Sequence, residues 1–388
     1  MDSAPGNGIE NRVSDGEWLL PGEAETPWRP FGGYRRHLTT TSILGLLILV
    51  LVIGPPSVPP PYSRAALPPI DKQLLWLPVS SEQDPLAVRL RAFDWSGQQL
   101  GTLARPCRAP CSFAPSPDGQ RVLIAEQPPL GEPPITGSVY DARGRRVGNI
   151  TDPTATWADD SRHLCLLRAI GAAAGASPTG DHAELDIIDP EGGKDRVVAT
   201  VVGVTSASAL AVWDLLACSV TSDRAVLAFS DQEAVHDIRV LQLSTGRVLY
   251  ARDDLAPGAS CGCPIANIEV ATNADLAAEN LVGGGTRILR FSAGSTLPWP
   301  ESARDPNGIL GISWRGRRAL TSAGIFEISS GRLIWPATSA TSVAILASRP
   351  ESEDLLLYLA GPNGTRAREV IVQGDGTSIP IDKISPAA

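Results

Sequence analysis

FAPSPDGQRVLIAE at residues 113–126, followed by VYDARGRRVGNI at 139–150, decides the fold. Each stretch is an apolar run, a short polar turn and a second apolar run. In the first, Pro117 presets φ, Asp118 bonds the backbone ahead of it, and Gly119 closes the turn. In the second, Gly144 supplies the positive φ that a hairpin matched to strand twist demands. Short alternating apolar runs between such turns read as antiparallel strands.

Both signatures recur. The glycine hairpin returns as AFDWSGQQLGTL at 92–103, DIIDPEGGKDRVVA at 186–199, VLQLSTGRVLYA at 240–251, LRFSAGSTLPW at 289–299, GIFEISSGRLIWP at 324–336 and VIVQGDGTSIPI at 370–381. Its marker glycines are Gly97, Gly144, Gly193, Gly246, Gly294, Gly331 and Gly376, spaced by 47, 49, 53, 48, 37 and 45 residues. The other signature falls between the markers, as TWADDSRHLCLL at 156–167, SVTSDRAVLAFS at 219–230, EVATNADLAAEN at 269–280, SWRGRRALTS at 313–322 and LASRPESEDLLLYLA near Glu351. Two hairpins per unit of this length mean four strands per unit, the period of a propeller blade. The expectation is an all-β protein, a β-propeller of about seven four-stranded blades over 70–388, with six as the alternative count. Its first unit, from Leu74, lacks an innermost strand. A pair of β-sandwiches is the alternative architecture, and the even spacing argues against it.

The Ser-Pro-Asp-Gly turn followed by an apolar strand resembles the WD40-like repeats of TolB-type β-propellers. The resemblance runs over 73–381, with 113–126 nearest to the family pattern and the other copies departing at the Pro or the Gly. It implies a rigid binding platform of the cell envelope.

Ahead of the repeats, no charged residue occurs from Leu38 to Ser63, and Ile43–Ile53 is apolar throughout. A helix over 38–54, stopped by Pro55 and Pro56, would be about 25 Å long, the short end of what spans a bilayer. A cleaved signal peptide is the rival reading, opposed by the long preceding segment and the prolines after the core. Arg35 and Arg36 lie just before the apolar run, so the N-terminus is expected in the cytoplasm and the remainder outside the plasma membrane. Residues 1–37 carry six acids against four arginines and read as a disordered cytoplasmic tail, with Trp18 and Trp28 as the only hint of a linear motif. Residues 55–69 (PPSVPPPYSRAALPP) read as a stiff stalk.

The net charge of −9 argues against nucleic acid as a partner, since such binders carry a basic stripe. Lysine occurs only at positions 72, 194 and 383, so the basic groups are nearly all arginine. Two turns concentrate them: Arg143, Arg145 and Arg146, and Arg315, Arg317 and Arg318. They are solvated faces by default and the candidate partner surface otherwise.

Six cysteines in an exported domain point to disulfides. Cys107 with Cys111, and Cys261 with Cys263, would close local loops, leaving Cys165 and Cys218 to staple adjacent units. A metal site is the rival, but no histidine flanks a cysteine pair at ligand spacing. No catalytic constellation is present: Gly311-Ile-Ser313-Trp-Arg lacks the second glycine of a nucleophile elbow, and no cofactor loop occurs. Trp157, Trp213 and Trp314 stand near the second signature and read as packing between units. The expected role is a non-catalytic binding or scaffolding module, anchored by a single span, with a protein or glycan partner. A signalling subunit with a cytoplasmic output tail is the alternative, and an enzyme acting in the propeller funnel a third.

Overall fold

The computed structural model describes residues 73–381, apart from 81–86, 104–106, 109–110, 127–136, 153, 170–181, 193, 203–210, 233, 254–264, 283, 338–341 and 361–367. The tail, the apolar segment, the stalk, Cys261 and Cys263 all lie outside the described residues. Among the described residues no helix is long and apolar enough to cross a membrane.

The chain is all-β. Sheet 1 holds β1 (Leu75–Ser80), β2 (Ala87–Phe93), β3 (Gln99–Thr102) and β4 (Cys107–Arg108). Sheet 2 holds β5 (Cys111–Pro115), β6 (Arg121–Glu126), β7 (Gly137–Asp141) and β8 (Arg146–Ile150). Sheet 3 is β9 (Thr156–Trp157), β10 (Leu164–Ala169), β11 (His182–Asp189) and β12 (Lys194–Val202). Sheet 4 has eight strands: β13 (Val212–Ser219), β14 (Arg224–Ser230), β15 (Val235–Gln242), β16 (Val248–Asp253), β17 (Ile265–Val270), β18 (Leu276–Leu281), β19 (Thr286–Arg290) and β20 (Ser295–Leu297). Sheet 5 is β21 (Gly311–Ile312), β22 (Arg318–Thr321), β23 (Gly324–Glu327) and β24 (Leu333–Pro336). Sheet 6 is β25 (Ser342–Ser348), β26 (Leu355–Ala360), β27 (Arg368–Val372) and β28 (Ser378–Ile381).

All pairings among the described residues are antiparallel, and all but β2–β4 and β15–β17 join chain neighbours, as short hairpins dictate. Five separate four-stranded sheets form where the glycine markers predict seven blades, or six. The difference arises in sheet 4: its β13–β16 and β17–β20 halves are joined by one bridge, Val235 to Ile265, below the last β15–β16 pair. Sheet 1 is also irregular, because β3 and β4 both pair with the same side of β2.

Apolar clusters lie between successive groups of strands. Trp76 and Leu90 of sheet 1 pack with Val122 and Tyr140 of sheet 2. Leu123 and Val139 pack with Trp157 and Leu164 of sheet 3. Leu185 and Cys165 meet Trp213 and Leu227 of sheet 4. Further clusters join the two halves of sheet 4, sheet 4 to sheet 5, and sheet 5 to sheet 6. The circle closes where Leu356, Ile371 and Ile381 of sheet 6 pack on Leu75, Leu77, Phe93 and Trp95 of sheet 1. Each sheet thus buries both faces only by having a neighbour on each side, which makes the fold a β-propeller. Trp157 and Trp213 are core residues of these interfaces, as their positions in the sequence suggest.

Candidate functional site

In an up-and-down meander the turn between strands one and two and the turn between strands three and four emerge at the same end of the sheet. Hydrogen bonds hold them together. Ala142 N–H donates to Gln120 O at 2.8 Å, Leu243 to Asp223 at 3.1 Å, Phe291 to Asp275 at 2.8 Å and Ile328 to Arg317 at 2.9 Å. The two sequence signatures therefore build one face of the ring.

That face is bonded from sheet to sheet. Leu74 N–H donates to Asp118 O at 3.1 Å and Trp76 Nε1 to Gly119 O at 2.7 Å, linking sheets 1 and 2. Asp118 N–H donates to Ser161 Oγ at 2.9 Å, linking sheets 2 and 3. Ser219 Oγ donates to Asp159 Oδ2 at 2.7 Å, and Ser222 Oγ to Asn273 O at 2.8 Å. Asn273 N–H donates to Trp314 O at 3.1 Å. Trp314 N–H donates to Ser348 Oγ at 2.8 Å, and Arg315 N–H to Glu353 Oε1 at 2.9 Å. A continuous run of bonds crosses every junction from sheet 1 to sheet 6.

Six first turns carry a left-handed residue: Gly119 (φ 69), Ser161 (60), Asp223 (57), Ala274 (55), Gly316 (70) and Glu353 (61). Four of the six are not glycine, at a cost of about 1–2 kcal/mol each. Bonds from outside each turn hold three of them: Asp118 and Arg315 of the neighbouring sheet donate to the side chains of Ser161 and Glu353, while Asp223 takes the hydroxyl and amide of Ser244, in the later turn of its own sheet, at 2.6 and 2.7 Å. Burial would raise the Asp223 carboxyl, but the bonds from Ser244 and Gln242 and the charge of Arg196 outweigh it and hold it below the usual range.

A third device is a repeated Ser-x4-Arg: Ser116 to Arg121, Ser219 to Arg224 and Ser313 to Arg318. Each arginine opens a second strand and reaches the next group of strands. Arg121 Nη2 meets Glu191 Oε1 at 2.6 Å and its Nη1 donates to Ser161 O at 3.1 Å. Arg224 Nη1 meets Asp275 Oδ1 at 2.7 Å. Arg318 donates to Glu353 O at 3.1 Å, Gln373 O at 3.3 Å and Gly374 O at 2.8 Å.

The two arginine turns predicted as a partner surface both lie on this face, in sheets 2 and 5, which share no interface cluster. They are not brought together into one patch. Arg143, Arg145 and Arg146 are exposed. Arg145 Nε meets Asp141 Oδ2 at 3.0 Å, and Arg146 Nε donates to Asn149 Oδ1 at 2.6 Å. Arg315 and Arg317 are also exposed, whereas Arg318 is half-buried between sheets 5 and 6.

Cys165 of β10 and Cys218 of β13 form a disulfide, with 6.4 Å between their Cα atoms, stapling sheet 3 to sheet 4. Cys111 is disulfide-bonded as well. The Cys107 side chain lies outside the described residues.

Ionisable groups inside the sheets escaped the sequence reading. Glu279 is buried between Arg252 of β16 and Arg287 of β19, the latter's Nε donating at 2.6 Å. Buried Asp237 takes Arg239 at 2.6 Å, and buried Asp186 takes Arg168. Glu269, on innermost strand β17, is half-buried, and desolvation pushes its carboxyl up to about 7. Among the described residues no group of three or more His, Cys, Asp or Glu is placed to hold a metal.

No family model matches the chain, and no curated protein matches it. Among solved structures it is similar to the β-propeller domain of Myceliophteria thermophila Cps50 (Swd1), at a TM-score of 0.43 and 14% identity, covering 77% of this chain and 92% of that one. It is similar to Saccharomyces cerevisiae Sqt1 at a TM-score of 0.40 and 13% identity, covering 80% and 82%. What places this chain among the β-propellers is its own strand order and the closed circle of apolar clusters.

Proposed function

We propose that this protein is a membrane-anchored, extracytoplasmic propeller that acts as a non-catalytic binding or scaffolding module of the cell envelope. The observation that carries the reading is the turn face: its backbone is bonded across successive sheets, and Arg315 and Arg317 stand exposed on it. A surface held rigid before contact loses little conformational entropy on binding. Loops on such scaffolds are where contacts are placed. The inter-sheet disulfide supports an oxidising compartment, and the apolar segment at 38–54 supports the anchor. The partner is a protein or a glycan with acidic groups facing Arg315 and Arg317.

The test is cross-linking of the full chain in its own membrane, comparing it with the doubly substituted Arg315→Glu, Arg317→Glu chain. The specific adduct is expected to fall by about tenfold or more, the equivalent of 1.4 kcal/mol. Equal yields from both chains would sink the site, and a reporter fused after Ala388 that works in the cytoplasm would sink the topology.

A further inference from the structure

We propose that Glu269 works a proton-operated latch between the second half of sheet 4 and sheet 5. With its carboxyl neutral, the two stay closed on one another. Ionised, it loosens β21 and the turn after it, the turn that presents Arg315 and Arg317. The latch rests on the packing of the two sheets and holds whether or not the turn face has a partner.

The place that Glu269 occupies recurs around the ring. Glu269 pairs with Ala278, and Ala278 packs toward sheet 5. In the same way Ala114 pairs with Leu123, Thr156 with Cys165, Ala217 with Val226, Gly311 with Leu320 and Ala347 with Leu356. Each of those second-strand residues packs toward the next group of strands. The position is therefore held by small side chains everywhere except in β17, where it carries a carboxyl. Space on this face is short: a Cβ on Gly311 would lie 2.9 Å from Ile345 Cδ1 of sheet 6.

The seam beside Glu269 is pinned at both ends. Ala278 clusters with Ile309 and Ile312, which are 0% and 6% exposed. Asn280, on the same face of β18, takes Ile309 N–H at 2.9 Å and donates to Ile309 O at 2.7 Å. It also donates to Asn267 Oδ1 at 2.6 Å, two residues before Glu269. Past the end of β17, Asn273 N–H donates to Trp314 O at 3.1 Å. In the chain Glu269 lies between the two pins, and the second one holds the Arg315 turn.

Among the described residues no cation reaches the Glu269 carboxyl. On β18, Glu279 pairs with Ile268 and turns to the opposite face, where Arg252 and Arg287 hold it. Sheet 5 brings Gly311, Ile312, Ala319 and Phe326 to the seam. Asp214 of β13 takes the Ser230 hydroxyl at 3.2 Å. On β15, bridged to the far end of β17, His236 is held by Asp231 at 2.8 Å and Arg239 by Asp237 at 2.6 Å.

A carboxylate packed between sheets without a bond or a counter-charge is costly, and the neutral acid is not. Desolvation accordingly pushes the Glu269 carboxyl up to about 7. Once ionised, the half-buried group gains by meeting water, which it reaches most directly by parting β17 from β21.

The test is hydrogen exchange of the full chain at pH 6 and pH 8, read on peptides spanning 308–317 and corrected for the intrinsic rate. A carboxyl that titrates near 7 when closed and near 4.5 when open lowers the protection of this stretch by about tenfold between the two pH values. Glu269→Gln should hold the protection level across the same range. Glu269→Ala, which restores the small side chain of the other sheets, should do the same. At pH 8 the faster exchange of the parent should be indifferent to about 1 M urea, because opening one seam exposes little surface. A parent without the loss, or a loss that persists in either variant, would overturn the latch. Exchange that urea accelerates as steeply as unfolding of the whole ring would overturn it equally.

Discussion

Arg318 Nη2 donates to the carbonyl oxygen of Gly374 at 2.8 Å, so a side chain from sheet 5 is fixed to the backbone of sheet 6. The same guanidinium bonds Glu353 O and Gln373 O. Arg318 is a strut of the ring, and its neighbours Arg315 and Arg317 present charge to solvent.

This separates three adjacent arginines by function. Arg318→Ala is expected to cost about 2–3 kcal/mol in urea unfolding, because hydrogen bonds from a charged group are lost and carbonyls are left without their donor. Arg315→Glu and Arg317→Glu should stay within about 0.5 kcal/mol of the parent. If the exposed pair proves as destabilising as Arg318→Ala, the turn is structural throughout.

The disulfide between Cys165 and Cys218 closes a loop of 53 residues between sheets 3 and 4. Replacing both cysteines by Ala should lower stability by roughly 2–4 kcal/mol. Peptide mapping of the unreduced protein should recover the linked pair, and free thiols at both positions would remove the case for an oxidising compartment.

Glu269 gives the fold a dependence on pH. Its carboxyl titrates near 7 in the folded chain and near 4.5 when unfolded, so the unfolded chain loses the proton first. Stability is therefore whole below about 4.5, falls as pH rises through about 7, and levels off above it. Glu269→Gln should raise the melting temperature at pH 8 and leave it nearly unchanged at pH 4. An equal effect at both values would mean that the carboxylate is not desolvated.

Much of this was legible in the sequence, and the rest was hidden for identifiable reasons. Six of the seven marker glycines have positive φ, from 57° to 90°, and Gly193 lies outside the described residues. The Cys165–Cys218 staple was also readable. The first turns were harder to see, because Ser161, Asp223, Ala274 and Glu353 occupy the left-handed position where glycine is the expected signal. Tertiary bonds hold Ser161, Asp223 and Glu353, and local sequence does not encode those bonds. Arg318 looked like one of a solvated trio because its partners are backbone carbonyls in another sheet. Five four-stranded sheets and one eight-stranded sheet stand in place of seven because one bridge between Val235 and Ile265 leaves no mark in the pattern of either strand. The carboxylates followed the same logic: Glu279 in LAAEN and Glu269 in IANIE look like ordinary polar positions, and only the fold buries the first and half-buries the second.

The central claim is that the strands form one ring, each sheet covered on both faces by its neighbours. Excision of residues 308–337, which removes sheet 5, tests it most directly. The remainder would expose the apolar faces of sheets 4 and 6, including Leu276 and Ile288 on one side and Val343 and Leu357 on the other. The shortened chain is expected to aggregate or lose its cooperative melting transition. A soluble product that still melts in one sharp step near the parent temperature would contradict the ring.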